Sequence, residues 1–155
     1  MRPTLAPITG REDRQGVSPS LQVLIDFYEA FNARNLEHMA ENWAQTDEDV
    51  MNNPLGGLAR GWEQIRAVYE RLFLGPMRVR VEFYDYTLHG TAELFYAVGR
   101  ERGEAQIGDT VIELRIRTTR VYRLMDRRWR QVHHHGSIDD PALLARYQAA
   151  VKGRR

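Results

Sequence analysis

Arg120 is the residue whose type and position point most directly to chemistry. Residues 110 to 125 alternate as a β-strand does, and the even positions of this segment are otherwise Ile, Leu, Thr and Tyr. A guanidinium on an apolar face needs a partner, because an unpaired buried charge is very unfavourable. The partner is either an anionic ligand, to which arginine offers a bidentate fork, or an internal carboxylate such as Asp85, Glu93 or Asp109. The sequence leaves both alternatives open.

Three consecutive histidines, His133 to His135, lie on the next predicted strand. Side chains alternate along a strand, so His134 points to the face opposite that of its two neighbours. Histidine titrates near neutral pH, which makes His134 and His133 candidates for moving a proton. A two-residue turn before this strand would place Arg120 opposite His133. A three-residue turn would place it opposite Val132, with His134 on the same face.

Asp85 and several aromatic residues are further candidates for a site. Asp85 continues the apolar alternation at 79, 81 and 83, so its carboxylate either acts as a desolvated general base or emerges into solvent at the strand end. Tyr69 and Tyr122 could donate hydrogen bonds to a ligand. Trp43 and Phe73 are most simply core residues, although one of them could line the mouth of a pocket.

The elements that must position these residues are helices first and long strands second. Apolar residues recur at helical spacing in four segments: 18–33, 35–43, 62–74 and 140–151. Strand-like alternation or apolar runs follow at four others: 79–85, 93–100, 110–125 and 129–138. This order is typical of an α+β fold with helices packed on one face of a curved antiparallel sheet. Residues 1–17 are polar and aperiodic, so we expect a flexible tail there and a single domain over residues 18–155.

Composition narrows the class of protein. The chain has 155 residues, a formal net charge of +1 and no cysteine, which excludes disulfides, thiolate metal sites and a cysteine nucleophile. The histidine run lacks the third ligand that a metal would need, so we expect no metal and no cofactor. The longest apolar run is five residues, so we expect no membrane span and a cytoplasmic protein. Seven arginines lie between residues 115 and 130, but no nucleic-acid-binding motif accompanies them, so we expect no nucleic-acid partner.

A string of residues near the C-terminus resembles a known family. The string comprises Thr119-Arg120-Val121, Asp126, Trp129, Val132-His133, His135 and Ser137. It is similar to the last strands of the association (hub) domain of calcium/calmodulin-dependent protein kinase II. That domain belongs to the nuclear transport factor 2-like superfamily, with the SnoaL-like cyclases, ketosteroid isomerase and scytalone dehydratase. The similarity runs from about residue 90 to 137 and extends more weakly over three earlier segments: residues 24–35, 53–56 and 61–74.

The resemblance implies a cone-shaped α+β barrel, in which a curved sheet wraps around a helix and encloses a cavity. It also implies dimers that pack sheet against sheet. Two cavity arginines of the hub domain match Arg100 and Arg120. A third falls at Gly136, and a pocket histidine of the hub falls at Ile65, so the hub's own ligand is not carried over to this chain.

Together, these observations predict a cavity protein that binds a small acidic or carbonyl-bearing organic ligand. Arg120 and Arg100 would orient the anion, and His134 or His133 would move a proton if the protein is an isomerase, cyclase or dehydratase. The alternative is a non-catalytic oligomerisation or ligand-sensing module, as the hub resemblance suggests. We expect a homodimer through the sheet face, because the outer side of the longest strand mixes apolar, acidic and basic residues.

Overall fold

The computed structural model describes residues 1–153, which form helices followed by long strands. The helices are α1 (Pro19–Asn32), α2 (Leu36–Asn42), α3 (Trp62–Leu74) and α4 (Pro141–Lys152). The strands are β1 (Val50–Asn52), β2 (Leu58–Arg60), β3 (Arg78–Gly90), β4 (Leu94–Ile107), β5 (Thr110–Met125) and β6 (Arg128–Ser137). The predicted α+β class is confirmed. The division into a tail and one domain stays a prediction, and the last two residues of that domain lie outside the described residues.

The six strands form one curved sheet in the order β2-β1-β6-β5-β4-β3. The long strands β3 to β6 pair antiparallel with their neighbours, whereas β1 pairs parallel with β6. The expected antiparallel sheet is therefore mixed. The parallel pair arises because β1 arrives from the helical half of the chain and joins a strand that is distant in sequence, which a hairpin cannot do.

Helix α1 packs its apolar stripe against the inner face of the sheet. Ser18 caps its first turn by accepting a hydrogen bond from the Leu21 amide, and Pro19 occupies the first helical position. Leu24 and Tyr28 are fully buried between the helix and the strands. The core of the protein therefore lies between α1 and the sheet, and the site described below lies in this layer.

The N-terminal segment, for which the sequence predicts a flexible tail, makes backbone hydrogen bonds to β3. The amide of Thr4 donates to the Tyr86 carbonyl at 2.8 Å, and the amide of Ile8 donates to the Phe83 carbonyl at 2.7 Å. The Ile8 side chain is buried at 3% exposure. Thr4 and Ile8 thus pair with the edge of β3 and cover backbone groups that would otherwise be open to another chain. This pairing uses backbone groups, so no periodicity of side chains announces it.

Candidate functional site

The β5–β6 hairpin decides which histidine lies beside Arg120. Its turn has two residues, Asp126 and Arg127, both with positive φ. This is the shorter of the two turns considered from the sequence. A bulge at Val132 then shifts the pairing by one residue, and Arg120 lies opposite His134. Neither sequence alternative included this bulge. Its effect is that His134 and Arg120 share the inner face of the sheet.

Arg120 is held by three partners in the core. Its Nη2 donates to Glu101 Oε1 at 2.8 Å, its Nη1 donates to Gln131 Oε1 at 2.9 Å, and its Nε donates to the Tyr28 hydroxyl at 3.2 Å. The Tyr28 hydroxyl in turn donates to Glu101 Oε1 at 2.6 Å. The Arg120 guanidinium also lies 3.5 Å from the centroid of the Phe27 ring. With 2% of its surface exposed, Arg120 is a fully buried cation, and each of its three guanidinium nitrogens has a hydrogen-bond partner.

The charge of Arg120 is therefore compensated inside the protein. Burial alone would lower the pKa of Arg120, but the neighbouring Tyr28 and Glu101 raise it overall, so the guanidinium stays charged. Of the two alternatives, the internal carboxylate applies. The partner is Glu101, and none of the three carboxylates considered from the sequence takes this place. Because Glu101 neutralises Arg120, no uncompensated charge remains there that would require an anionic ligand.

Arg100 and Asp85 lie on the outer surface of the sheet, which corrects the inward orientation expected for Arg100 and agrees with the solvent-exposed alternative for Asp85. The inner positions of β4 are the odd ones, such as Ala97 and Glu101, so Arg100 points outwards and its side chain is 54% exposed. Arg100 Nε donates to Asp85 Oδ2 at 3.2 Å. Asp85 lies at an irregularity of β3, with a φ of 50°, where the strand changes its register with β4. The pair is a partly solvated ion pair on the outer surface.

His134 is one of three buried side chains with polar atoms that have no hydrogen-bond partner within residues 1–153, and the other two are Trp43 and Thr118. His134 is 6% exposed, and neither of its ring nitrogens has a hydrogen bond within residues 1–153. Burial, followed by the positive charge of Arg120, holds the pKa of His134 well below its ordinary value, so the imidazole is neutral at pH 7. His133 lies elsewhere: its Nδ1 is 2.8 Å from the Val50 carbonyl oxygen. His135 is exposed.

His134 and Arg120 border a cavity of about 580 Å³ between the sheet and helices α1, α3 and α4. Most of its lining is apolar, and Asn53, Tyr69, Tyr147 and Glu101 supply the other polar groups of its interior. Burial raises the pKa of Tyr69 to about 12, so its hydroxyl remains protonated and able to donate a hydrogen bond. Three predicted site residues therefore meet here: Arg120, His134 and Tyr69. Glu101 and Tyr147 were not anticipated.

The remaining aromatic candidates lie in the core and do not line this cavity. Trp43 packs against Trp62 and Tyr69, with ring centroids 6.5 Å and 6.3 Å apart. Phe73 packs against Tyr69 at 5.7 Å. The Tyr122 hydroxyl donates to Asn42 Oδ1 at 3.2 Å, on the far side of Arg120's own network. Trp43 and Phe73 are therefore core residues, which was the simpler of the two alternatives, and Tyr122 is a core residue as well.

Two clusters have ligand types suited to a metal, and neither has the arrangement of a metal centre. Asp26, Glu29 and His38 place ligand atoms within 4.8 Å of one another, but the Arg14 guanidinium pairs with both carboxylates. The rings of His133 and His135 are 6.4 Å apart, and one nitrogen of His133 is already bonded to the backbone.

The fold and cavity define a class of protein: a helix-filled curved sheet of the nuclear transport factor 2-like type. The SnoaL-like domain model matches residues 21–141, and the chain belongs to the SnoaL-like domain family. The resemblance of the string from Thr119 to Ser137 is thereby confirmed. No curated protein sequence matches the chain.

Solved structures agree with this family. One, from Thiobacillus denitrificans, has been assigned as a calcium/calmodulin-dependent protein kinase type II association domain; it is 29% identical, with a TM-score of 0.62 over 76% of this chain and 93% of that one. Another, assigned as a dehydratase of the same superfamily from Streptomyces avermitilis, is 16% identical, with a TM-score of 0.70 over 77% of this chain and 92% of that one. The second shows the fold alone. Within residues 1–153, no helix is both long and apolar enough to cross a membrane.

Proposed function

We propose that this protein binds a small, mostly apolar organic molecule whose hydroxyl or carbonyl group hydrogen-bonds to His134. The observation that supports this proposal is the imidazole itself, which is buried, borders the cavity and has both ring nitrogens unpartnered within residues 1–153. Leaving a buried polar group unpaired costs about 1–3 kcal/mol. A ligand that supplies the missing hydrogen bond recovers this cost, and the cavity volume of about 580 Å³ is within the usual range for small-molecule sites.

The charges around the cavity favour binding over proton abstraction. A general base works best when its pKa lies near the operating pH. The pKa of His134 is lowered by burial and by Arg120, so the imidazolium that proton abstraction would create is disfavoured. A neutral imidazole still donates one hydrogen bond and accepts another. We therefore place ligand recognition ahead of isomerase, cyclase or dehydratase chemistry.

Naphthol and naphthalene provide a direct test, because they differ by one hydroxyl group. Naphthol should bind more tightly, and His134→Phe should weaken naphthol binding roughly twofold to tenfold while leaving naphthalene unchanged. His135→Phe, at an exposed site on the same strand, is the matched control. Titration by fluorescence measures both ligands. Equal losses for naphthol and naphthalene in His134→Phe would contradict the hydrogen bond to His134.

The outer face of the sheet supports a second part of the proposal, a homodimer. Neighbouring strands place like charges opposite one another: Arg100 beside Arg117, Arg102 beside Arg115, and Glu104 beside Glu113. Like charges in this position destabilise a sheet unless a partner compensates them. Asp85 and Glu82 compensate Arg100 and Arg102 within the chain. The other four residues, Arg115, Arg117, Glu104 and Glu113, have no salt bridge within residues 1–153. A two-fold-related copy could bring its acidic pair over the basic block.

Sedimentation at micromolar concentration tests the dimer. A mass near 18.1 kDa would count against it. Glu113→Arg should weaken the dimer, and combining it with Arg115→Glu should restore association. The 29% identical neighbour, assigned as an association domain, is consistent with assembly. A cytoplasmic location is also proposed, supported by a chain without cysteine.

A further inference from the structure

Arg71 is the one lining residue of the cavity whose charge has no counterpart among the lining residues. The formally charged residues that line the cavity are Arg71, Glu101 and Arg120. Glu101 and Arg120 form an ion pair at 2.8 Å and cancel. Arg71 is exposed and lies in the last turn of α3, so it belongs to the rim of the cavity. No salt bridge within residues 1–153 involves it.

Arg71 is not needed to complete its own helix. Basic residues near a helix C-terminus often bind the last carbonyl groups. Here Arg34 takes that role from outside the helix: its Nε donates to the Phe73 carbonyl at 3.0 Å, and its Nη1 donates at 2.9 Å to the carbonyl of Met77, which follows the helix. The Leu72 carbonyl also accepts from Arg34. The guanidinium of Arg71 is thus available to a ligand.

The cavity therefore offers different chemistry at its two ends. The interior has the neutral imidazole of His134, the rim has the cation Arg71, and the lining residues on helices α1 and α3 and strands β3 to β5 include Phe31, Leu72 and Ile116. A carboxylate left at the rim keeps most of its hydration and gains an opposite charge, whereas a carboxylate taken inside would meet only the compensated Arg120. An apolar chain between the two ends would be removed from water.

Resting on the proposed function, we propose that the ligand is an elongated monoanionic organic acid, bound with its carboxylate at Arg71 and a hydroxyl or carbonyl group at His134. The acid is anchored at both ends, and its apolar body fills the space between them. The anion then lies at the end of α3 and not beside Arg120, where the sequence predicts it. This assignment makes Arg71 the residue that selects for charge and His134 the residue that selects for the distal polar group.

Three ligands of one chain length separate these contributions: ω-hydroxydecanoate, decanoate and the corresponding α,ω-diol. Competition with the neutral fluorophore N-phenylnaphthylamine reports their binding. The hydroxy acid should bind most tightly. Arg71→Gln should weaken both acids roughly twofold to fivefold, the range of an exposed ion pair, and leave the diol unchanged. Added salt should remove the same advantage from the wild type.

Arg66→Gln is the matched control, because Arg66 lies on the same helix, pairs with Glu37 at 3.6 Å and does not line the cavity. His134→Phe should weaken the hydroxy acid and the diol but not decanoate. Two results would overturn the role of Arg71 and leave the cavity function intact. One is equal affinity of the wild type for the hydroxy acid and the diol. The other is an equal loss of affinity for the acids in Arg71→Gln and Arg66→Gln. Failure of every probe to bind, the neutral fluorophore included, would overturn the proposed function itself.

Discussion

Replacing Glu101 with glutamine should destabilise the protein more than most single substitutions, because it leaves Arg120 as a buried charge without its counterion. The two side chains are 5% and 2% exposed and approach to 2.8 Å. At this distance, and with an effective dielectric constant of about 20, their attraction is about 6 kcal/mol. Removing Glu101 also removes the cost of burying that carboxylate, which offsets part of the loss. Buried pairs that lose one partner are typically destabilised by about 3–5 kcal/mol.

The assay is equilibrium unfolding in urea, together with thermal unfolding. For a chain of this size, a loss of about 3–5 kcal/mol corresponds to a fall in Tm of roughly 6–20 °C. The double variant Glu101→Leu with Arg120→Met should regain most of the stability, since replacing a whole buried pair by apolar residues is often close to neutral. A loss of less than about 1 kcal/mol in Glu101→Gln would refute the reasoning and show that water entering the cavity solvates Arg120. A double variant as unstable as the single one would do the same.

Three smaller predictions concern other parts of the molecule. The pKa of His134 in the folded protein is below the ordinary value of 6.5, so at lower pH the unfolded chain takes up a proton that the folded chain does not. The free energy of unfolding should therefore fall by about 1.4 kcal/mol for each pH unit below 6.5. This slope should be smaller in His134→Gln and should equal that of the wild type in His135→Gln. Arg127→Gly should stabilise the positive-φ turn by about 1 kcal/mol, measured by urea unfolding, whereas Arg128→Gly in the adjacent strand should not. Ile8→Ala should cost about 2 kcal/mol by the same measurement if the N-terminal segment packs as described, and nothing if it is loose.

The sequence was sufficient for the fold class and for the inward orientation of Arg120, since both depend on side-chain periodicity. The same periodicity could have located its partner. Phe95 and Ala97 mark the odd positions of β4 as inner ones, so a strand continued past residue 100 would have placed Glu101 inside and Arg100 outside. The predicted strand ended at residue 100, and its apolar residues occupied both faces, so this phase was not evident.

Other features leave no pattern of side chains to interpret. The bulge at Val132 contains neither glycine nor proline, and nothing local distinguishes it from a regular strand. The pairing of the first residues with β3 depends on backbone amides and carbonyls, which every residue provides. The compensation of a buried charge by a distant residue is a property of the assembled core, so the sequence could only state that some partner must exist.

The bulge at Val132 also bears on how such a cavity can acquire a new specificity. Buried positions on β6 change from the odd residue Gln131 to the even residues His134 and Gly136 at this point. A deletion of Val132 would remove the bulge and leave His134 opposite Arg120, whereas an insertion of one residue there, with the bulge kept at one residue, would present His133 and His135 to the cavity in place of His134. The turn and the part of the hairpin nearest it would keep their register. A single codon gained at this position could therefore exchange one imidazole in the cavity for two, without any substitution among the histidines themselves.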